Sequence, residues 1–61
     1  MTEKEIREEI LKIQEKYYTP TSKIAYDLGV DKSLLYRWLG AKDEVSPRVL
    51  ALLEQWLKER L

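Results

Sequence analysis

The chain of 61 residues contains no cysteine and no histidine. The first absence excludes disulfides and thiolate metal sites. The second removes the commonest zinc ligand and the commonest general base near pH 7. Asparagine and phenylalanine are also missing, and glycine and proline number only two each. Neither sign of charge is in excess, with 11 Lys plus Arg against 11 Asp plus Glu. Nucleic-acid binders usually run basic, so this balance counts against that class, although distribution matters more than the sum. No apolar run approaches the length of a membrane span, and no signal-peptide pattern is visible. The expectation is a soluble protein in a reducing compartment, cytoplasmic or nucleoid-associated in a cell. With no His, no Cys and little room for a pocket in so short a chain, no catalytic residue, metal, cofactor or small-molecule substrate is expected.

What is present is a large apolar fraction, 44%, including two Trp and four Tyr. A chain this short buries only roughly 60% of its unfolded surface, so its fold must rest on one well-packed core. It has no internal repeat and no linker, and it reads as a single domain over residues 1–61.

The periodicity predicts four helices and no strand, at about residues 3–17, 20–28, 31–39 and 46–60. Thr2 and Glu5 form a capping-box signature. Ile6, Ile10, Ile13 and Tyr17 follow at helical spacing, with Leu11 flanking. Thr19-Pro20 and Ser46-Pro47 both look like an N-cap followed by proline in the first turn. The second helix carries Ile24, Ala25 and Leu28 and stops at Gly29, the favoured residue for a left-handed exit. Val30 plugs that turn and Asp31 caps the third helix, which Gly40 ends. The fourth helix has a wide apolar stripe of Val49, Leu50, Leu52, Leu53, Trp56, Leu57 and Leu61.

The third helix sorts its residues completely. On a wheel of about 100° per residue, Lys32, Tyr36, Ser33 and Arg37 fall within an arc of about 140°. Leu34, Trp38, Leu35 and Leu39 occupy the opposite arc. An ordinary amphipathic helix has a solvated polar face with no further role. A face made for solubility alone would be filled with Glu, Lys and Ala. This one has no Glu; it has two cations, a hydroxyl and a tyrosine. Arg can fork onto guanine O6 and N7, Lys can reach guanine or phosphate, and Ser can donate or accept.

The segment from Thr21 to Gly40 resembles the helix-turn-helix of phage-repressor-like, XRE-type DNA-binding domains. Ile24-Ala25 is similar to the apolar-plus-small pair of that motif's first helix, and Leu28-Gly29-Val30 to its apolar-Gly-apolar turn. Leu35 and Trp38 match the two buried positions of its recognition helix, and Pro47 with the Leu-rich stripe matches the family's packing helix. The resemblance implies sequence-specific binding of double-stranded DNA, with helix 31–39 in the major groove. It implies base reading by Lys32, Ser33, Tyr36 and Arg37. Backbone contacts would come from Thr21, Ser22, Lys23, Lys42, Ser46 and Arg48. A monomer is expected, with dimerisation left open.

The chain departs from the family in several places. Helix 31–39 has no Gln or Asn to read adenine, and Leu39 replaces a residue that is often acidic. Asp43-Glu44 puts carboxylates in a loop that would approach phosphate. Asp31 is read as an N-cap, not a base contact. Glu3, Glu8, Glu9 and Glu15 are expected on a solvated face of the first helix, away from DNA. Tyr17, Trp38 and Trp56 are read as core, Tyr18 as packed against the second or fourth helix with a phosphate contact as the alternative, and Tyr26 as partly exposed with no assigned role. The composition and well-formed caps also resemble a computationally designed small DNA-binding protein on that scaffold. The competing reading is a protein-interaction module or a bare helical scaffold, since such folds are reused without DNA.

Overall fold

The computed structural model describes residues 1–60. It contains four helices and, among the described residues, no strand: α1 (Glu3–Tyr17), α2 (Thr21–Leu28), α3 (Lys32–Leu39) and α4 (Pro47–Lys58). Leu61, assigned by periodicity to the α4 stripe, lies outside the described residues.

Side-chain caps start three of the helices. At α1, Glu5 N donates to Thr2 Oγ1 at 3.2 Å and Thr2 N donates to Glu5 Oε1 at 2.8 Å, closing the capping box. Asp31 Oδ1 accepts from Ser33 N at 3.3 Å, and Ser46 Oγ accepts from Val49 N at 3.2 Å. Each satisfies an amide that the helix itself leaves unpaired.

The same dipeptide signal has a different outcome at α2. That helix begins at Thr21, its N-cap is Pro20, and no side chain caps it. Thr19 is therefore not the cap. Gln14 is the reason: its Nε2 donates to the Thr19 carbonyl at 3.2 Å and to Thr21 Oγ1 at 2.9 Å, pinning the link between α1 and α2. At its other end, α4 is shorter than the stripe implied and stops at Lys58. There Arg60 N bonds the Leu57 carbonyl at 3.0 Å, which tightens the last turn. Arg60 Nη1 also reaches the Trp56 carbonyl at 2.9 Å, and its guanidinium lies 3.8 Å from the Trp56 ring centroid.

Helices α2 and α3 each end in two bonds that cross back over the last turn. Val30 N bonds Ala25 O at 3.0 Å and Gly29 N bonds Tyr26 O at 3.2 Å, with Gly29 in the left-handed region at φ 70°. Lys42 N bonds Arg37 O at 2.9 Å and Ala41 N bonds Trp38 O at 3.0 Å. In this second case the left-handed residue is Ala41, at φ 58°, while Gly40 is at φ −83°. Both are Schellman closures, one built on the residue that favours them and one not.

The core gathers Ile6 and Ile10 of α1, Ile24 and Ala25 of α2, Leu35 and Trp38 of α3, and Val49, Leu53, Trp56 and Leu57 of α4. Ile13, Leu28, Val30, Leu39, Val45 and Leu50 pack around it. α2 packs on α3 and α4, and α1 packs on α4. Trp38 is the largest fully buried side chain; truncating such a residue costs about 3–5 kcal/mol. Ala25 is small where the turn folds α3 back onto α2, and it is also buried.

The tyrosines at the end of α1 differ from expectation. Tyr17 is 62% exposed and outside the core. The buried residues of α1 are Ile6 and Ile10 in its first half, so the apolar stripe leaves the body of the molecule before the last turn. Tyr18 is 90% exposed in the left-handed region at φ 55° and packs on neither α2 nor α4. Tyr26 is exposed.

Candidate nucleic-acid interface

The burial of α3 fixes what it can present. Leu35 and Trp38 are buried and Leu34 and Leu39 half-buried, so Lys32, Ser33, Tyr36 and Arg37 all stand in solvent. They share one face because helical residues three and four apart are neighbours. Ser33 has its backbone amide committed to Asp31, but its hydroxyl extends from the exposed side. Tyr36 is exposed, as are the other three tyrosines of the chain.

Two of these groups differ in how free they are. Lys32 makes no salt bridge among the described residues. Arg37 donates through Nε to Asp43 Oδ2 at 3.0 Å. The Arg37 guanidinium, and after it the Glu44 amide, hold the Asp43 carboxyl below its ordinary value of 3.8. Nothing in the sequence pattern signals this pair. Asp43 lies six positions beyond Arg37, outside the helix, and reaches it only because the Schellman closure at Gly40–Lys42 turns the chain back.

The residues expected to hold a phosphate backbone divide into two groups. Ser22, Lys23, Lys42, Ser46 and Arg48 are exposed. Lys23 lies 3.8 Å from Asp27, a weak exposed pair one turn along α2. Ser46 uses an oxygen lone pair as a cap and keeps its hydroxyl proton. Thr21 is placed differently. It is 8% exposed and its hydroxyl accepts from Gln14, so its side chain is committed to the α1–α2 packing.

The first two turns of α1 meet the last turn of α3. Arg7 donates through Nε to the Trp38 carbonyl at 2.8 Å, and Trp38 Nε1 donates to Glu3 Oε1 at 3.1 Å. Glu3 is thus a partner of the core tryptophan and not a merely solvated acid. A depression nearby is lined by Lys4, Arg7 and Lys42 on one side of the charge balance and Glu3, Asp43 and Glu44 on the other. Such a mixture creates no field of one sign.

No helix among the described residues is long and apolar enough to cross a membrane. Compared with known proteins, the chain matches no family model, no curated protein and no solved structure.

Proposed function

We propose that this domain binds double-stranded DNA sequence-specifically, as a helix-turn-helix of the phage-repressor-like kind, with α3 in the major groove. One observation carries the reading. Lys32, Ser33, Tyr36 and Arg37 stand exposed on a single face of α3 to which the helix itself contributes no carboxylate, the Asp43 carboxylate reaching Arg37 from the following loop, while Leu35 and Trp38 anchor its back in the core. Major-groove base edges are read by such donors and acceptors held on a rigid helix. Arg37 and Lys32 favour guanine. Ser22, Lys23, Lys42, Ser46 and Arg48 supply the backbone contacts; Thr21, being buried, does not. The domain acts as a monomer, since a single module burying roughly 600–1,000 Å² is sufficient for modest specificity. Its economical composition and regular caps fit a designed origin on that scaffold.

The alternative is a protein-interaction module. Net neutrality and the exposed Tyr17, Tyr18 and Tyr26 favour it. Selection from a randomised duplex pool near physiological salt separates the two. The DNA reading expects one short motif containing guanine, and expects Arg37→Ala to cost about 1–3 kcal/mol and relax preference at one base pair. Recovery of no duplex at all would sink it and return the α3 face to the interaction reading.

A further inference from the structure

We infer that Asp43 is a positioning residue that orients the Arg37 guanidinium for end-on recognition of guanine. This rests on the DNA-binding reading of α3. The carboxylate is held at both oxygens: Oδ1 accepts from the Glu44 amide at 2.8 Å and Oδ2 accepts from Arg37 Nε at 3.0 Å. The turn that carries Asp43 is itself tied to α3. Gly40 N bonds the Tyr36 carbonyl at 3.1 Å, and Ala41 N and Lys42 N bond those of Trp38 and Arg37. Asp43 therefore belongs to the same rigid unit as the helix it serves.

The choice of nitrogen decides the consequence. A guanidinium can present two parallel N–H bonds to O6 and N7 of guanine from its Nε side or from its terminal edge. Asp43 occupies Nε, and among the described residues the guanidinium makes no other hydrogen bond. The terminal edge is left as the only fork. A free arginine spreads over many rotamers, and ordering it on binding costs affinity; a side chain already held pays less. The same carboxylate repels phosphate, so a misaligned Arg37 gains little from sliding onto the DNA backbone. Asp43 thereby weakens binding to duplexes that lack that guanine and sharpens preference for one base.

The test uses the whole chain and the randomised duplex pool, with the parent, Arg37→Ala, Asp43→Ala and Asp43→Asn compared. Arg37→Ala identifies the base pair that Arg37 reads. At that base pair, Asp43→Ala is expected to lose preference for guanine by about fivefold or more, the scale of one bidentate contact. Its binding to unrelated duplex is expected to rise, and its melting temperature to stay with the parent's. Asp43→Asn keeps one acceptor oxygen but turns its NH2 against either Arg37 Nε or the Glu44 amide, so it is expected to fall between the parent and Asp43→Ala. In the Arg37→Ala background, Asp43→Ala is expected to change base preference no further. An Asp43→Ala variant that binds all sequences more tightly by one common factor, with guanine preference intact, would make Asp43 only a competitor and overturn the inference. A parent that selects no motif overturns the DNA reading, and this inference falls with it.

Discussion

Arg7 lies across Trp38, its guanidinium 4.9 Å from the ring centroid and its Nε bonded to the Trp38 carbonyl at 2.8 Å. One side chain of α1 thus satisfies a carbonyl at the C-terminal end of α3 and covers the central tryptophan. The positive charge also sits where the helix end is partially negative. Arg7→Ala is expected to destabilise the fold by about 1–2 kcal/mol, from the lost hydrogen bond and the lost cation–ring contact. Lysine cannot stack a planar group and donate from Nε together, so Arg7→Lys should recover less than half of that. Urea unfolding of the three proteins decides it; a lysine variant equal to the parent would show that charge alone matters.

The two Schellman closures make a paired prediction. Nothing lies within 4 Å of the position a Cβ would take at Gly29, so Gly29→Ala suffers only the left-handed backbone penalty, about 1 kcal/mol. Ala41 already carries that penalty at φ 58°. Ala41→Gly should stabilise by several tenths to about 1 kcal/mol, the left-handed cap favouring glycine. Thermal melts moving in the same direction for both substitutions would contradict the cap geometry.

The two Ser/Thr-Pro dipeptides should separate in the same experiment. Ser46 caps α4, and Ser46→Ala is expected to cost about 1 kcal/mol. Thr19 caps nothing, so Thr19→Ala should stay within about 0.5 kcal/mol of the parent. Gln14→Ala should cost more than Thr19→Ala, because Gln14 holds both the Thr19 carbonyl and the Thr21 hydroxyl.

Acid should weaken the start of α1. The amide of Thr2, and next its hydroxyl, hold the Glu5 carboxyl below its ordinary 4.5. A carboxyl lowered on folding contributes stability above its unfolded value and loses it as the pH falls through the folded value. The contribution is therefore intact at neutral pH and is lost progressively as the pH falls below about 4.5. Glu5→Gln should flatten that limb of the stability–pH curve without altering the neutral-side slope. An unchanged acid limb would show that Glu5 carries none of it.

If DNA is bound through about five phosphate contacts, the log–log salt slope should be about −4 to −5. Arg48→Ala should make that slope shallower by about one and leave the selected motif unchanged. A shifted motif would move Arg48 from backbone holder to base reader.

The sequence by itself determined the four helices, because a 3.6-residue apolar period and local caps are short-range physics. Thr2 with Glu5, Asp31, Ser46 and Gly29 act within three or four residues of themselves, and each does in the fold what its neighbours imply. The polar arc of α3 was equally legible, since burying Leu35 and Trp38 leaves Lys32, Ser33, Tyr36 and Arg37 outside. Contacts between elements were not. Whether Thr19 or Pro20 began α2 depended on Gln14, a side chain from another helix. The same contact buried Thr21. Tyr17 kept the helical period but lay past the edge of the body it would have packed on, and periodicity carries no information about where a neighbour ends. Glu3 looked like one more surface acid until Trp38 Nε1, 35 positions away, gave it a donor. Arg37 and Asp43 meet because Ala41 adopts a left-handed turn, a conformation no local preference for alanine predicts. Tertiary structure decided these matters because each depends on the distance between groups on different elements, which a one-dimensional pattern does not contain.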